Sequence, residues 1–213
     1  MQIVHYGHSC VLVSTDSARL LFDPGAFSSG FESARELDAI LITHQHFDHL
    51  DGARLPALVE ANPNAALVVD EDTVPELEKL GLTPTSVARP GDALTIGDTA
   101  VNVVGGRHAT IHPDMPPPTN AGYVVDHGAF YHPGDALFVP EQEIDVLGLP
   151  FSAPWAKTAE FVDFLRGVAP RVAVPIHEAL LSEIGFQVNQ NFVTNLAPDS
   201  ELRLLPREVA TAV

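Results

Sequence analysis

The chain has 213 residues, 11 of them basic and 28 acidic, for a net charge of −17. That length suits one domain, spanning residues 1–213, with a core that needs no covalent staples, and the lone Cys10 excludes an internal disulfide or a cysteine-based zinc module. The charge excludes nucleic acid and anionic membrane as partners unless a local basic patch exists, and the sequence has none. Short runs rich in Val, Ile and Leu, divided by Gly, Pro, Asp and Asn, predict strands at Gln2–Tyr6, Cys10–Ser14, Arg19–Phe22 and Asp38–Thr43. Apolar residues spaced three and four apart predict a helix over Leu50–Ala61, followed by a strand at Ala65–Val69. A second helix is predicted over Thr73–Leu80, with Asp72 or Thr73 as its cap, and a strand at Ala100–Val104. After the proline-rich segment IHPDMPPPTN come strands at Ala121–Asp126, Ala129–His132 and Asp145–Leu149, a helix at Thr158–Val168, and strands at Arg171–Val174 and Glu201–Leu205. Strands followed by helix, twice over, predict two sheets packed back to back with helices outside.

Ten histidines against two lysines bias the polar chemistry towards metal ligation or proton transfer. The opening MQIVHYGHSC has no basic segment leading into an apolar run, and no apolar stretch approaches the ~20 residues of a membrane span, so a soluble cytoplasmic protein is expected. Thr43–Gly52 reads THQHFDHLDG and carries His44, His46, Asp48 and His49 in the spacing H-x-H-x-D-H. His44 and His46 follow directly from a strand, where residues two apart point the same way, whereas Asp48 and His49 sit at the turn into the next helix. Two pairs of ligands with different aims suit two adjacent ions better than one tetrahedral ion.

This decapeptide resembles the signature of the metallo-β-lactamase fold hydrolases. GHSCVLV at Gly7–Val13, LLFDPG at Leu20–Gly25, YHPGDALF at Tyr131–Phe138 and VPIHE at Val174–Glu178 resemble a subgroup of small members that includes ascorbate-phosphate-lactonase-like proteins. The resemblance implies a four-layer αβ/βα sandwich of two mixed sheets with outer helices and a binuclear centre at one edge. It implies one ion on His44, His46 and His108, a second on Asp48, His49 and His177, and Asp135 as the bridge. From the residues alone, His108 lies beyond a strand and the break Gly105–Gly106, His177 follows the apolar run RVAVPI, and Asp135 reads as a turn residue.

The expected protein is a binuclear hydrolase, loaded with zinc or alternatively manganese, that cleaves a small lactone, phosphodiester or thioester with a metal-bridging hydroxide. Asp48 would also manage the proton, and His132 would donate one to the leaving group. His132 reads equally as a strand-end residue, and His8 either lines the site or packs in the second strand's approach. The IHPDMPPPTN loop bearing His112 is a lid or a surface detour. Arg107, the one basic residue beside a proposed ligand, either clamps an anion or points to solvent. Relatives that handle dioxygen or electrons with iron carry Glu where His46 stands, which disfavours an iron redox protein on this fold. A catalytically silent metal-stabilised binding protein would lack ligands, and none of the seven is missing. The subgroup continues after VLGLP with a glycine-rich segment, whereas this chain has FSAPWAKTAEF, so Phe151 and Trp155 are candidates for reshaping the pocket.

Overall fold

A computed structural model describes residues 1–213. The first sheet contains β1 (Gln2–Gly7), β2 (Cys10–Ser14), β3 (Arg19–Phe22), β4 (Ala39–Leu41), β5 (Ala66–Val69) and β6 (Ser86–Val87). The second contains β7 (Ala93–Ile96), β8 (Thr99–Arg107), β9 (Thr119–Val125), β10 (Phe130–His132), β11 (Val146–Pro150), β12 (Val172–Ile176) and β13 (Glu201–Leu202). A final strand, β14 (Thr211–Ala212), pairs with β1, so each sheet has seven strands, ordered β14-β1-β2-β3-β4-β5-β6 and β13-β12-β11-β10-β9-β8-β7. β1–β3 and β7–β10 run antiparallel, joined by short turns except for the loop 108–118 between β8 and β9; β3–β6 and β10–β13 are joined by longer crossovers and run parallel.

The layering follows from the two-residue period of the strands. Val11, Val13, Leu20, Phe22 and Leu41 face the second sheet and meet Val101, Tyr123, Phe130 and Val174 there. Their neighbours Leu12, Leu21 and Ile40 face outwards and are covered by Leu55 and Leu58 of α1 (Leu55–Ala61) and Leu77 of α2 (Val74–Lys79). On the far side α3 (Thr158–Val168) and α4 (Glu183–Leu196) cover Leu147, Leu149 and Ala173 with Val162, Leu165 and Val193. Strands buried on both faces read as continuous apolar runs, which is why they were visible in the sequence. The expected αβ/βα sandwich of two mixed sheets is the observed architecture.

Several boundaries differ for local reasons. The helix predicted from Leu50 starts at Leu55, because Asp51 accepts the amides of Ala53 and Arg54 in a turn and Pro56 then occupies the first helical turn. The Thr73 hydroxyl does not cap α2; it donates to Asp70. β8 is not broken at Gly105–Gly106 but continues across both, paired with Ala121 and Asn120. Helix α4 was not predicted: Phe186 and Val193 pack inwards, but Ile184, Val188 and Phe192 are exposed, so its apolar residues form no single stripe.

Asp70, at the end of β5, ties the two sheets together beside the edge described below. It accepts the hydroxyls of Thr73 and, from the start of β9, Thr119, while Asp72 accepts the Thr119 amide at 2.8 Å. Burial pushes the Asp70 carboxyl up to about 6, outweighing the hydroxyl donors that favour the ionised form. The folded state therefore holds this proton more tightly than the unfolded chain, and the resulting stabilisation is complete below about pH 4 and lost as pH rises through about 6. In denaturant titrations at several pH values, Asp70→Asn should gain on the wild type by about 1–3 kcal/mol between those limits. A constant difference across this range would reject the effect.

Candidate metal centre

One edge of the sandwich collects the carboxyl ends of β4, β8, β10 and β12 together with the turn between β1 and β2, the position where α/β sheets usually place their ligands. The loop after β4 supplies His44, His46, Asp48 and His49; His108 follows β8, Asp135 follows β10, and His177 follows β12. All seven residues converge. Their ligand atoms form two groups, His44, His46, His108 and Asp135 in one and Asp48, His49, His177 and His8 in the other, each with its atoms within 4.8 Å of one another.

Asp135 lies between the groups. Its Oδ1 is 3.1 Å from His49 Nε2, and its Oδ2 is 3.1 Å from His177 Nε2 and 3.3 Å from His108 Nε2. Its backbone is fixed on both sides, the amide donating to Asn120 Oδ1 at 3.0 Å and the carbonyl accepting from the Ala109 amide at 2.7 Å.

The ring orientations decide what the histidines can do. His49 Nδ1–H donates to Asp23 Oδ2 at 2.7 Å, His108 Nδ1–H to the Ala109 carbonyl at 2.5 Å, and His177 Nδ1–H to the Ser152 carbonyl at 2.6 Å. Each ring thus keeps its proton on Nδ1 and turns the Nε2 lone pair inwards, the arrangement that metal-ligating histidines require. Those three Nε2 atoms, with Asp135 Oδ1, are buried without a hydrogen-bond partner. His44 Nε2 and His46 Nδ1 also face each other at 3.0 Å. Buried polar atoms are rarely left orphaned, so a convergent set of nitrogen and carboxylate donors fits divalent cations.

Electrostatics point the same way. Burial disfavours the charged form of His49 and His177, but Asp135, joined by Asp23 for His49 and by Asp48 for His177, outweighs it, raising His49 well above its ordinary range and His177 to about 9. The same partners hold Asp48 and Asp135 far below the usual carboxylate range against the opposing effect of burial. Carboxylates gathered here demand positive charge, and protons compete with cations for the same lone pairs. His44 goes the other way, held well below its ordinary value by burial and by His49.

Three groups hold the ligands in place: Asp23, which the sequence reading does not single out, and Trp155 and His8, which it names only as candidates for shaping the pocket or lining the site. Asp23 accepts the Thr43 amide and hydroxyl, each at 2.8 Å, as well as the His49 ring, so it aims both the loop and a ligand. Its neighbour Gly25 has no room for a side chain: a Cβ would stand 1.7 Å from the Asp48 carbonyl oxygen. Trp155, in the segment between β11 and α3, donates its indole N–H to Asp135 Oδ2 at 2.8 Å. His8 receives the Ala179 amide on Nδ1 at 3.4 Å, which leaves its proton on Nε2, 3.1 Å from Asp48 Oδ2. His8 therefore orients Asp48 as a donor. His8, Asp23 and His177 all have positive φ, at 50°, 44° and 57°, and such conformations concentrate at functional sites.

His132 does not reach the centre. It is fully buried, stacked on Phe22, with Nε2 donating to the Ser9 carbonyl at 2.9 Å and Nδ1 accepting the Gly134 amide at 3.2 Å. Both nitrogens are committed, so it is not the expected proton donor. Phe151 is a core residue packed on Phe186, and His112 is exposed, accepting the Asp114 amide within its own loop.

Residues 2–177 match the beta-lactamase superfamily domain. The chain belongs to this superfamily. Protein Rv0786c of Mycobacterium tuberculosis is 46% identical over 99% of both chains. The UPF0173 metal-dependent hydrolase of Pyrobaculum arsenaticum is 30% identical over 83% of this chain and 84% of its own. Among solved structures, Igni18, a metallo hydrolase from Ignicoccus hospitalis, superposes with a TM-score of 0.75 at 18% identity, covering 99% of this chain and 97% of that one, a likeness of fold.

The Asp23 bond gives a direct test of this superfamily member's metal centre. Asp23→Asn can keep the Thr43 contacts but puts an amide NH₂ or a poorer acceptor opposite His49 Nδ1, favouring the tautomer with its proton on Nε2. Affinity for the ion at His49 should fall by about 10–100-fold while the fold persists. Competition with a chelator, read alongside circular dichroism, checks this, and unchanged affinity would exclude an orienting role for Asp23.

Proposed function

We propose that this member of the metallo-β-lactamase superfamily, a metal-dependent hydrolase, cleaves a small ester-like substrate with two divalent ions, zinc by preference and manganese as the alternative. The reading also makes it a cytoplasmic protein with a small-molecule substrate and no nucleic-acid or membrane partner. No helix is long and apolar enough to cross a membrane. The observation that carries the reading is the convergence of partnerless buried Nε2 atoms on Asp135, within two four-residue groups at one edge of the sandwich.

Bound there, divalent cations supply acidified water and Lewis-acid polarisation of the scissile carbonyl or phosphoryl group. His44, His46 and His108 would hold one ion, Asp48, His49 and His177 the other, and Asp135 both. His8 fixes one Asp48 oxygen, so the carboxylate is positioned to take up and return a proton as the substrate's bond breaks. Trp155 keeps the Asp135 carboxylate from rotating away from the histidines. No side-chain nucleophile is required, and the buried Cys10, whose thiol burial pushes well up, is unsuited to be one.

As purified, the protein should carry close to two divalent ions per chain by elemental analysis, and chelation should lower its melting temperature, since ions bound only by the native state stabilise it. A metal-free protein of undiminished stability would overturn the proposal. Asp48→Asn should reduce kcat/KM on a responsive ester by at least about 100-fold, with a much smaller effect on unfolding. Full turnover at full metal content would remove Asp48 from the chemistry.

A further inference from the structure

Beside the metal centre lies a cleft of about 510 Å³, large enough for a small organic ligand, with His46 and His108 at its inner end. His108 is 3% exposed and its Nε2 has no partner, so the cleft leads to a buried atom with bonding capacity unspent. One wall is formed by Asp72, Pro75 and Glu76 around the start of α2; the other is the loop from Ala109 to Pro118, with Ile111, Met115 and a run of three prolines. The proline-rich loop bearing His112 is thus a wall of this cleft.

No lysine or arginine lines the cleft. The candidate clamp Arg107 lines a separate depression with Gly105 and Phe138 instead. Lys79 is spent on Glu76, its Nζ 2.7 Å from Oε1. Asp72 is met by the Thr119 amide but by no cation, so the wall keeps uncompensated negative charge in a chain already at −17. An acid group on the part of the substrate that rests against this wall would lose hydration and gain no counter-charge from it. The opposite wall offers apolar contact instead: Ile111 is 38% and Met115 56% exposed, and the prolines hold that surface in place at little entropic cost. Across the centre the rim is again apolar, where Phe27 packs edge-on against His8 and Phe47, both at 5.2 Å between centroids.

Resting on the hydrolase reading above, we propose that the substrate is an ester or lactone whose substituent is uncharged and apolar and lies against Ile111, Met115 and the prolines while its reacting group reaches the metal centre. A free acid group on that substituent is disfavoured by the wall, where Asp72 meets no cation. Selectivity then arises from the cleft, since the centre itself would accept any ester-like group.

The metal-loaded protein is assayed on p-nitrophenyl acetate, butyrate and hexanoate, on the p-nitrophenyl hemiester of succinate, and on bis(p-nitrophenyl) phosphate. From acetate to hexanoate kcat/KM should rise about two- to fourfold per methylene, the upper figure being full burial of each CH₂. The hemisuccinate should fall at least about tenfold below butyrate. Glu76→Lys should narrow the gap between hemisuccinate and butyrate by about three- to tenfold, most at low salt, and Met115→Gln should flatten the chain-length series. Preference for the hemisuccinate, or a series indifferent to chain length, would overturn this inference and leave the hydrolase standing. No turnover of any of these compounds with two ions bound would overturn the hydrolase reading itself.

Discussion

Asp135 lies 2% exposed between three imidazole rings, with no lysine or arginine within bonding distance. A carboxylate buried without a balancing charge is among the costliest features a fold can contain. The surrounding structure answers that demand: His49 and His177 are driven to hold positive charge, and the remaining donors are aimed to receive it from cations. Trp155, Asn120 and Ala109 all hold Asp135 from behind, so the carboxylate has one direction left in which to find partners.

The same constraint accounts for strain at the edge of the sandwich. His8 and His177 belong to different sheets, and both adopt left-handed backbone conformations. They are stitched directly: the His177 amide donates to the His8 carbonyl at 3.1 Å, and the His8 amide donates to Glu178 Oε1 at 3.1 Å. Arg207, from the segment leading to β14, clamps Glu178 and His5 from outside. Opening the two sheets would cost these bonds together with the apolar interface, so the site and the sandwich core support one another.

Charge distribution separates the centre from its approach. Inside, carboxylates and imidazoles are arranged to hold cations; outside, the cleft wall presents carboxylates, prolines and aliphatic side chains with no basic residue. A metal centre built on the superfamily's fold is therefore reached through an approach of different chemistry. One side of that approach, Ala109–Pro118, is a loop, which tolerates change without disturbing the buried strands beneath.

Four members of the centre were legible in the sequence because they fall within six consecutive residues, where strand geometry and one turn fix the directions in which side chains leave. The buried strands were legible because both their faces are apolar. His108, Asp135 and His177 were assigned through resemblance, since each stands alone after its own strand and only tertiary packing brings it to the others. His132 shows the limit of that proximity: three residues from Asp135, it sits within β10 and spends both nitrogens on backbone groups inside the sandwich. His8 and Glu178 meet across 170 positions, Asp23 and His49 across 26, and Trp155 and Asp135 across 20, distances over which no local periodicity operates. The sequence alone determined the layered fold and the kind of chemistry, because both are written in short-range patterns. Only the tertiary structure decided which nitrogens keep their protons, which residue holds Asp135 in place and which charges face the cleft, because each depends on segments meeting far from one another along the chain.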